Sequence, residues 1–65
     1  MTLTITINLD NAAFGETDYE RSAECARILR ELAGQIARGL GPTIDESESV
    51  RDINGNRVGV VEVNV

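Results

Sequence analysis

The sequence predicts a small α+β domain in which one helix packs on a three-stranded sheet, with the element order β-α-β-β. Three patterns indicate this fold: a strict polar-apolar alternation at the start of the chain, a long amphipathic stretch in the middle, and a turn between two strand-like segments near the end. The 65 residues are expected to form a single domain, residues 1–65. Its core should be thin, because a chain of this length buries only about 60% of its unfolded surface.

The first strand is predicted over Thr2–Leu9, where leucine or isoleucine occupies the odd positions and threonine or asparagine the even ones. We expect the odd positions to face the core and the threonine-rich face to meet solvent. The loop that follows, residues 10–16, contains one large side chain, Phe14. Two roles are open for Phe14: a lid over the end of the core near Tyr19, which we favour, or an exposed anchor for a partner.

The helix is predicted from Asp18 to Arg38, within the stretch 17–41, and we expect the core of the domain to form around this stretch. It begins with Thr17-Asp18-Tyr19-Glu20, which matches a capping box, and glycines follow its last turn. On a 3.6-residue period one face is apolar and the opposite face is charged. The predicted core face comprises Cys25, Ala26, Leu29, Leu32, Ala33, Ile36 and Leu40, and the predicted exposed face comprises Glu20, Glu24, Arg27, Glu31, Gln35 and Arg38.

The predicted helix is longer than the predicted sheet. A helix over 18–38 extends about 31 Å, whereas an eight-residue strand spans about 27 Å. The last helical turn, with Ile36 and Leu40, should therefore overhang the sheet. An exposed apolar turn favours a second subunit, and we expect a homodimer.

A hairpin is predicted after a short acidic connection, residues 43–48. Asn54-Gly55 can form a two-residue turn that pairs Val50 with Gly59, or Asp52–Gly55 can form a type I turn with a bulge at Gly55. The second register pairs Val50 with Val58 and separates polar from apolar side chains better, so we favour it.

The last strand, Arg57–Val65, is the most apolar of the three and carries valines at both odd and even positions. It should be covered on both sides or contain a bulge near Val60-Val61. We place it in the centre, in the strand order 1-3-2, because an apolar strand at a sheet edge promotes aggregation.

The charge balance is acidic, with eleven Asp and Glu residues, six Arg residues, no Lys and no His, for a net charge of −5. Negative charge repels phosphate backbones and few aromatic side chains are present for stacking, so no nucleic-acid partner is expected. No stretch resembles a signal peptide or approaches the roughly 20 apolar residues of a membrane span, and the single Cys25 forms no disulfide framework. We therefore expect no membrane partner and a cytoplasmic protein.

The residue types needed for catalysis are scarce. The chain has no His, no Ser paired with a base and no glycine-rich phosphate loop, so we expect neither enzymatic activity nor a cofactor. Residues 52–56 resemble the start of a calcium loop, but the glycine and the final glutamate that such a loop requires are misplaced, so no metal site is predicted. The candidate protein-contact residues are Asp10, Asn11 and Phe14 in the first loop and Asp45, Glu46 and Glu48 in the acidic connection.

Three segments of the chain are distinctive together: Leu9–Phe14, Ala26–Ala33 and Arg51–Gly59. They resemble small phage and prophage proteins of unassigned function, and the likeness covers most of the chain. The resemblance implies a bacterial host and a small accessory protein that binds a host protein, including components of antiviral defence. Our first hypothesis is an acidic protein-binding module that modulates or inhibits a host protein. The alternatives are a structural or assembly module that binds copies of itself or a larger phage protein, and a dimer that binds a small ligand.

Overall fold

The computed structural model describes all 65 residues and confirms the predicted architecture of one helix on a three-stranded antiparallel sheet. The strand order is β1-β3-β2, with the C-terminal strand in the centre, as the sequence predicts. A single turn of 3₁₀ helix, Ala12–Phe14, connects the first strand to the helix. The elements are β1 (Thr2–Ile7), α1 (Asp18–Ala37), β2 (Ser47–Arg51) and β3 (Arg57–Asn64).

The hairpin between β2 and β3 contains the predicted type I turn. The Gly55 N–H donates to the Asp52 carbonyl at 3.0 Å, and the Asp52 N–H donates to the Asn56 carbonyl at 2.9 Å. Gly55 has a φ of 84°, a left-handed conformation that favours glycine at the bulge position.

The predicted pairing of Val50 with Val58 is wrong. Val50 pairs with Gly59 and Arg51 pairs with Arg57, which leaves Val58 as an extra residue on β3. This second bulge turns Val58 towards the helix, so that Val58 and Val61 are both buried although one is even-numbered and the other odd-numbered. The bulge therefore lies two residues before the predicted position near Val60.

Both ends of α1 are capped. The Thr17 hydroxyl accepts a hydrogen bond from the Glu20 N–H at 3.1 Å, as the capping box predicts, but the Glu20 carboxylate accepts from the same hydroxyl instead of from a backbone N–H. At the other end the Leu40 N–H donates to the Gln35 carbonyl at 2.9 Å, which closes a Schellman motif.

The core is small and confirms that Phe14 is a lid. The Phe14 side chain is fully buried and packs with residues of the helix and of the hairpin strands. Tyr19 is 83% exposed and takes no part in this packing, contrary to the expectation that the lid lies near it. The apolar core consists of Phe14, Ile28, Leu32, Val50, Val58 and Val61.

The predicted core face of α1 is correct at Leu32 but is displaced by about one residue over the rest of the helix. The buried line runs through Glu24, Ile28 and Leu32, whereas Leu29 and Ile36 are each 41% exposed. Because successive helical residues are about 100° apart, the helix is rotated by roughly that angle from the predicted orientation. The rotation is tolerated because the buried Glu24 carboxylate has hydrogen-bond donors on both the helix and the hairpin.

Candidate functional site

Half-exposed apolar side chains lie along one side of the molecule, between α1 and β1. Leu3 is 48% exposed, Ile5 37% and Leu9 39%, although the sequence predicts that these odd positions face the core. They point to the helix side of the sheet, but the rotated helix covers them incompletely. We term this surface the apolar face. It consists of Leu3, Ile5, Leu9, Cys25, Leu29 and Ile36.

The apolar face has a cleft near each end, and both clefts join residues of α1 to residues of the β1 segment. A partner side chain seated in either cleft would contact the helix and the strand segment together. Such half-exposed apolar surface, in contact with water in the monomer, is typical of a protein-interaction site. The first cleft is lined in part by Leu9, Cys25, Ala26 and Leu29, and the second in part by Leu3, Ile36, Gly41 and Pro42.

The opposite side of α1 is fastened to the hairpin by a carboxylate. The Glu24 carboxylate accepts hydrogen bonds from the Arg27 guanidinium at 2.7 and 3.0 Å and from the Ile53 N–H at 3.0 Å. We term these three residues the carboxylate clasp. Hydrogen bonding by Arg27 lowers the pKa of Glu24 from its ordinary value of 4.5, burial opposes this shift, and the Ile53 N–H adds to it. The same pairing raises the pKa of Arg27.

A second buried carboxylate, Asp52, lies beside the clasp in the hairpin turn. One of its oxygens accepts hydrogen bonds from the Asn54 and Asn56 N–H groups, both at 2.9 Å. The Asp52 carboxylate therefore fixes the hairpin turn itself, whereas the Glu24 carboxylate holds the hairpin against the helix. The sequence predicts Glu24 on the exposed face of the helix, whereas the structure buries it. Helical periodicity cannot reveal the contact with Ile53, because the two residues are 29 positions apart.

The predicted contact residues of the first loop separate in the structure. Asp10 is exposed, while the Asn11 side chain is half-buried and accepts a hydrogen bond from the Ala13 N–H at 3.0 Å, which caps the 3₁₀ turn. Phe14 is fully buried, so its inclusion in the predicted contact surface is wrong. Its ring packs in the core, where a partner cannot contact it. Of the three, only the Asp10 side chain remains freely available.

The predicted acidic residues Asp45, Glu46 and Glu48 are all exposed, but they do not form one cluster. The Glu46 carboxylate turns back to accept hydrogen bonds from the Thr43 hydroxyl and N–H, and these bonds lower the pKa of Glu46. The sequence predicts Glu48 in the acidic connection, but in the structure Glu48 lies within β2. No group of three His, Cys, Asp or Glu residues in the structure could hold a metal ion.

One feature of the sequence indicates the apolar face, although the single core face drawn from the helical period does not include it. Ile28 is apolar but lies outside the predicted core face, so α1 carries apolar residues along two adjacent lines. One line, through Ile28, is buried, and the other, through Leu29, is half-exposed. The apolar surface of α1 is therefore wider than its contact with the sheet requires.

Comparison with known proteins gives no match to a protein-family model, a curated protein or a solved structure. The function is therefore inferred from the surface of this chain. The structure contains no helix with the length and hydropathy needed to cross a membrane.

Proposed function

We propose that this protein is a protein-binding module and that the apolar face is its contact surface. The observation that carries the proposal is the exposure of Leu3, Leu9, Leu29 and Ile36, which each leave about two-fifths to half of their surface in water. Burying such side chains in a partner removes apolar area from water, at about 25 cal/mol per Å². The net charge of −5 favours a protein partner over a nucleic acid.

The narrower form of the proposal is a cytoplasmic module of a bacterial host, encoded by a phage or prophage, that modulates or inhibits a host protein by stoichiometric binding. Its basis is the resemblance of three segments of the chain to small phage proteins. Asp10, Asp45 and Glu48 are exposed outside the apolar face and are available for polar contacts at its periphery. The exposed edge of β1 favours a second candidate, an assembly module that binds copies of itself.

Site-specific photo-cross-linking in the cell tests this proposal. A photo-reactive phenylalanine analogue at position 29 should form a discrete adduct with another protein chain, because Leu29 lies in the centre of the apolar face. The matched control has the same group at Ala23, which is exposed on α1 about 120° away from Leu29. Equal labelling from positions 23 and 29, or none from 29, would contradict the proposal.

A further inference from the structure

The free edge of β1 carries unpaired backbone groups. The Asn8 N–H donates to the Val58 carbonyl at 2.7 Å, and hydrogen-bonded residues alternate along an antiparallel strand. The even residues of β1 therefore bond to β3. The N–H and C=O groups of Leu3, Ile5 and Ile7 point away from the sheet.

The two edges of the sheet differ in their protection against pairing with another chain. Proteins protect edge strands with charges, prolines, bulges or short length. β2 has five residues, two of them charged, and its pairing with β3 is interrupted by a bulge. β1 has six residues, without a charge or a proline, and its register with β3 is regular. The β1 edge is therefore the one open to another strand.

We propose that a second copy of this chain pairs its β1 with this edge in antiparallel orientation, which joins the two sheets into one of six strands. The inference rests on the proposed function and names the partner that adjoins the apolar face. Two-fold symmetry places Ile5 opposite the partner's Ile5 and Leu3 opposite the partner's Ile7. This register uses every outward-pointing residue of β1 in both copies.

Self-pairing also brings the two apolar faces together. It places the leucine and isoleucine side chains of both β1 strands on the helix side of the sheet, and it brings no like charges into opposition. The core contacts place each helix over its own β2 and β3, so the two helix axes are about four strand spacings, or about 19 Å, apart. A helix with its side chains is about 10–12 Å wide, so Leu29 and Ile36 of the two copies line the opposite walls of one groove above the paired β1 strands.

The dimensions of the chain fit a subunit better than an isolated monomer. Its accessible surface is 4473 Å², whereas a monomer of this mass is expected to have about 4,000 Å². Its radius of gyration is 12.2 Å, compared with about 10.7 Å for a compact domain of this length. The dimer joins the apolar faces of the two copies, on which Leu3, Ile5 and Leu29 are exposed, into one continuous surface.

Amide hydrogen exchange at low and high protein concentration tests the pairing without any mutation. The amides of Leu3, Ile5 and Ile7 should exchange at least about tenfold more slowly in the dimer, because they become hydrogen-bonded. Ser47 and Ser49 provide the internal control. The Val63 N–H donates to the Glu46 carbonyl, so the amides of these two serines point outward from β2 and should remain fast.

Backbone N-methylation in synthetic protein gives a second test. N-methylation of Ile5 removes one outward donor from each copy without changing a side chain, and it should weaken dimerisation by about tenfold or more in sedimentation experiments. N-methylation of Ser49 on the other edge is the matched control and should leave the association unchanged. Circular dichroism checks that both variants fold. If the Ile5 variant does not fold, the hydrogen-exchange experiment on the unmodified chain tests the β1 pairing alone.

The outcomes separate this inference from the proposed function. A monomer at every concentration, with fast exchange throughout the outward residues of β1, would overturn the dimer. A cross-link from position 29 to a different protein would then still support the proposed function. A dimer in which Ile5 exchanges rapidly and tolerates N-methylation would overturn the β1 pairing. Self-adducts from position 29, together with slow exchange at Ile5, would support both.

Discussion

The two sides of α1 differ in how completely they cover the sheet. On the side towards the hairpin, Ile28 and Leu32 are buried against the valines of β2 and β3, and the carboxylate clasp fixes the helix there. On the side towards β1, Leu29 and Ile36 are half-exposed above a half-exposed strand. One helix about 10 Å wide covers roughly two strands that are spaced by 4.8 Å. The polar contact between Glu24 and Ile53 holds α1 towards the hairpin, and β1 is therefore the strand that α1 covers incompletely.

Truncation of one leucine on each side of α1 should show the largest difference. Leu32→Ala removes a buried side chain and should lower the free energy of unfolding by about 2–5 kcal/mol. Leu29→Ala removes one that is already 41% exposed, and its effect should be less than half as large. Urea denaturation at low protein concentration, where dimerisation contributes least, measures both values. Equal losses would show that the helix is oriented as the sequence predicts.

Removal of the clasp carboxylate should have the next largest effect. Glu24→Ala leaves the Ile53 N–H without its acceptor and leaves Arg27 with Glu31 alone, at a cost of about 1–3 kcal/mol. Glu31→Ala is the control, because it also removes a partner of Arg27 but lies on the exposed surface. Its cost should be below about 0.5 kcal/mol. Chemical denaturation of the two variants measures the difference, and similar values would contradict a role for Ile53.

The pH dependence of stability should reveal the same contact. The folded protein holds the pKa of Glu24 below its ordinary value of 4.5, so the folded state binds this proton less readily than the unfolded state. The contribution of Glu24 to stability is therefore present above pH 4.5 and is lost as the pH falls through the folded pKa. Urea midpoints measured during acidification should fall more steeply for the native chain than for Glu24→Gln. Parallel curves would show that Glu24 is not bound as described.

The smallest effect on stability is expected for Glu48→Lys, on the β2 side of the molecule. Glu48 is exposed, and its replacement should change the free energy of unfolding by less than about 0.5 kcal/mol. If a partner also contacts the β2 side, the variant should bind more weakly, and the salt dependence of binding should change. Titration of the cross-linked partner with Glu48→Lys and Leu29→Ser would then assign the contact to one side or to both.

Much of the fold follows from local patterns in the sequence. The first strand, the capping residue Thr17 and the turn at Gly55 each depend on a few neighbouring residues, so the sequence predicts their presence correctly, although it does not predict the exposure of the odd positions of β1. The order of the strands follows from the apolar character of β3.

The features that the sequence does not predict depend on contacts between distant segments. The bulge at Val58 and the burial of Glu24 arise when the hairpin meets the helix, and helical periodicity alone contains neither. The apolar face is hidden for the same reason. A rotation of α1 by about one residue, or 100°, moves Leu29 from the core to the surface without changing any local pattern.

The pairing of Thr2 with Asn64 determines the order in which the domain assembles. The hairpin strands β2 and β3 are close in sequence, whereas β1 can join β3 only by closing a loop of nearly the whole chain. We therefore expect β1 to be the last strand to add. Until it does, both of its edges are free, and nascent chains at high concentration are most prone to mispair through this strand.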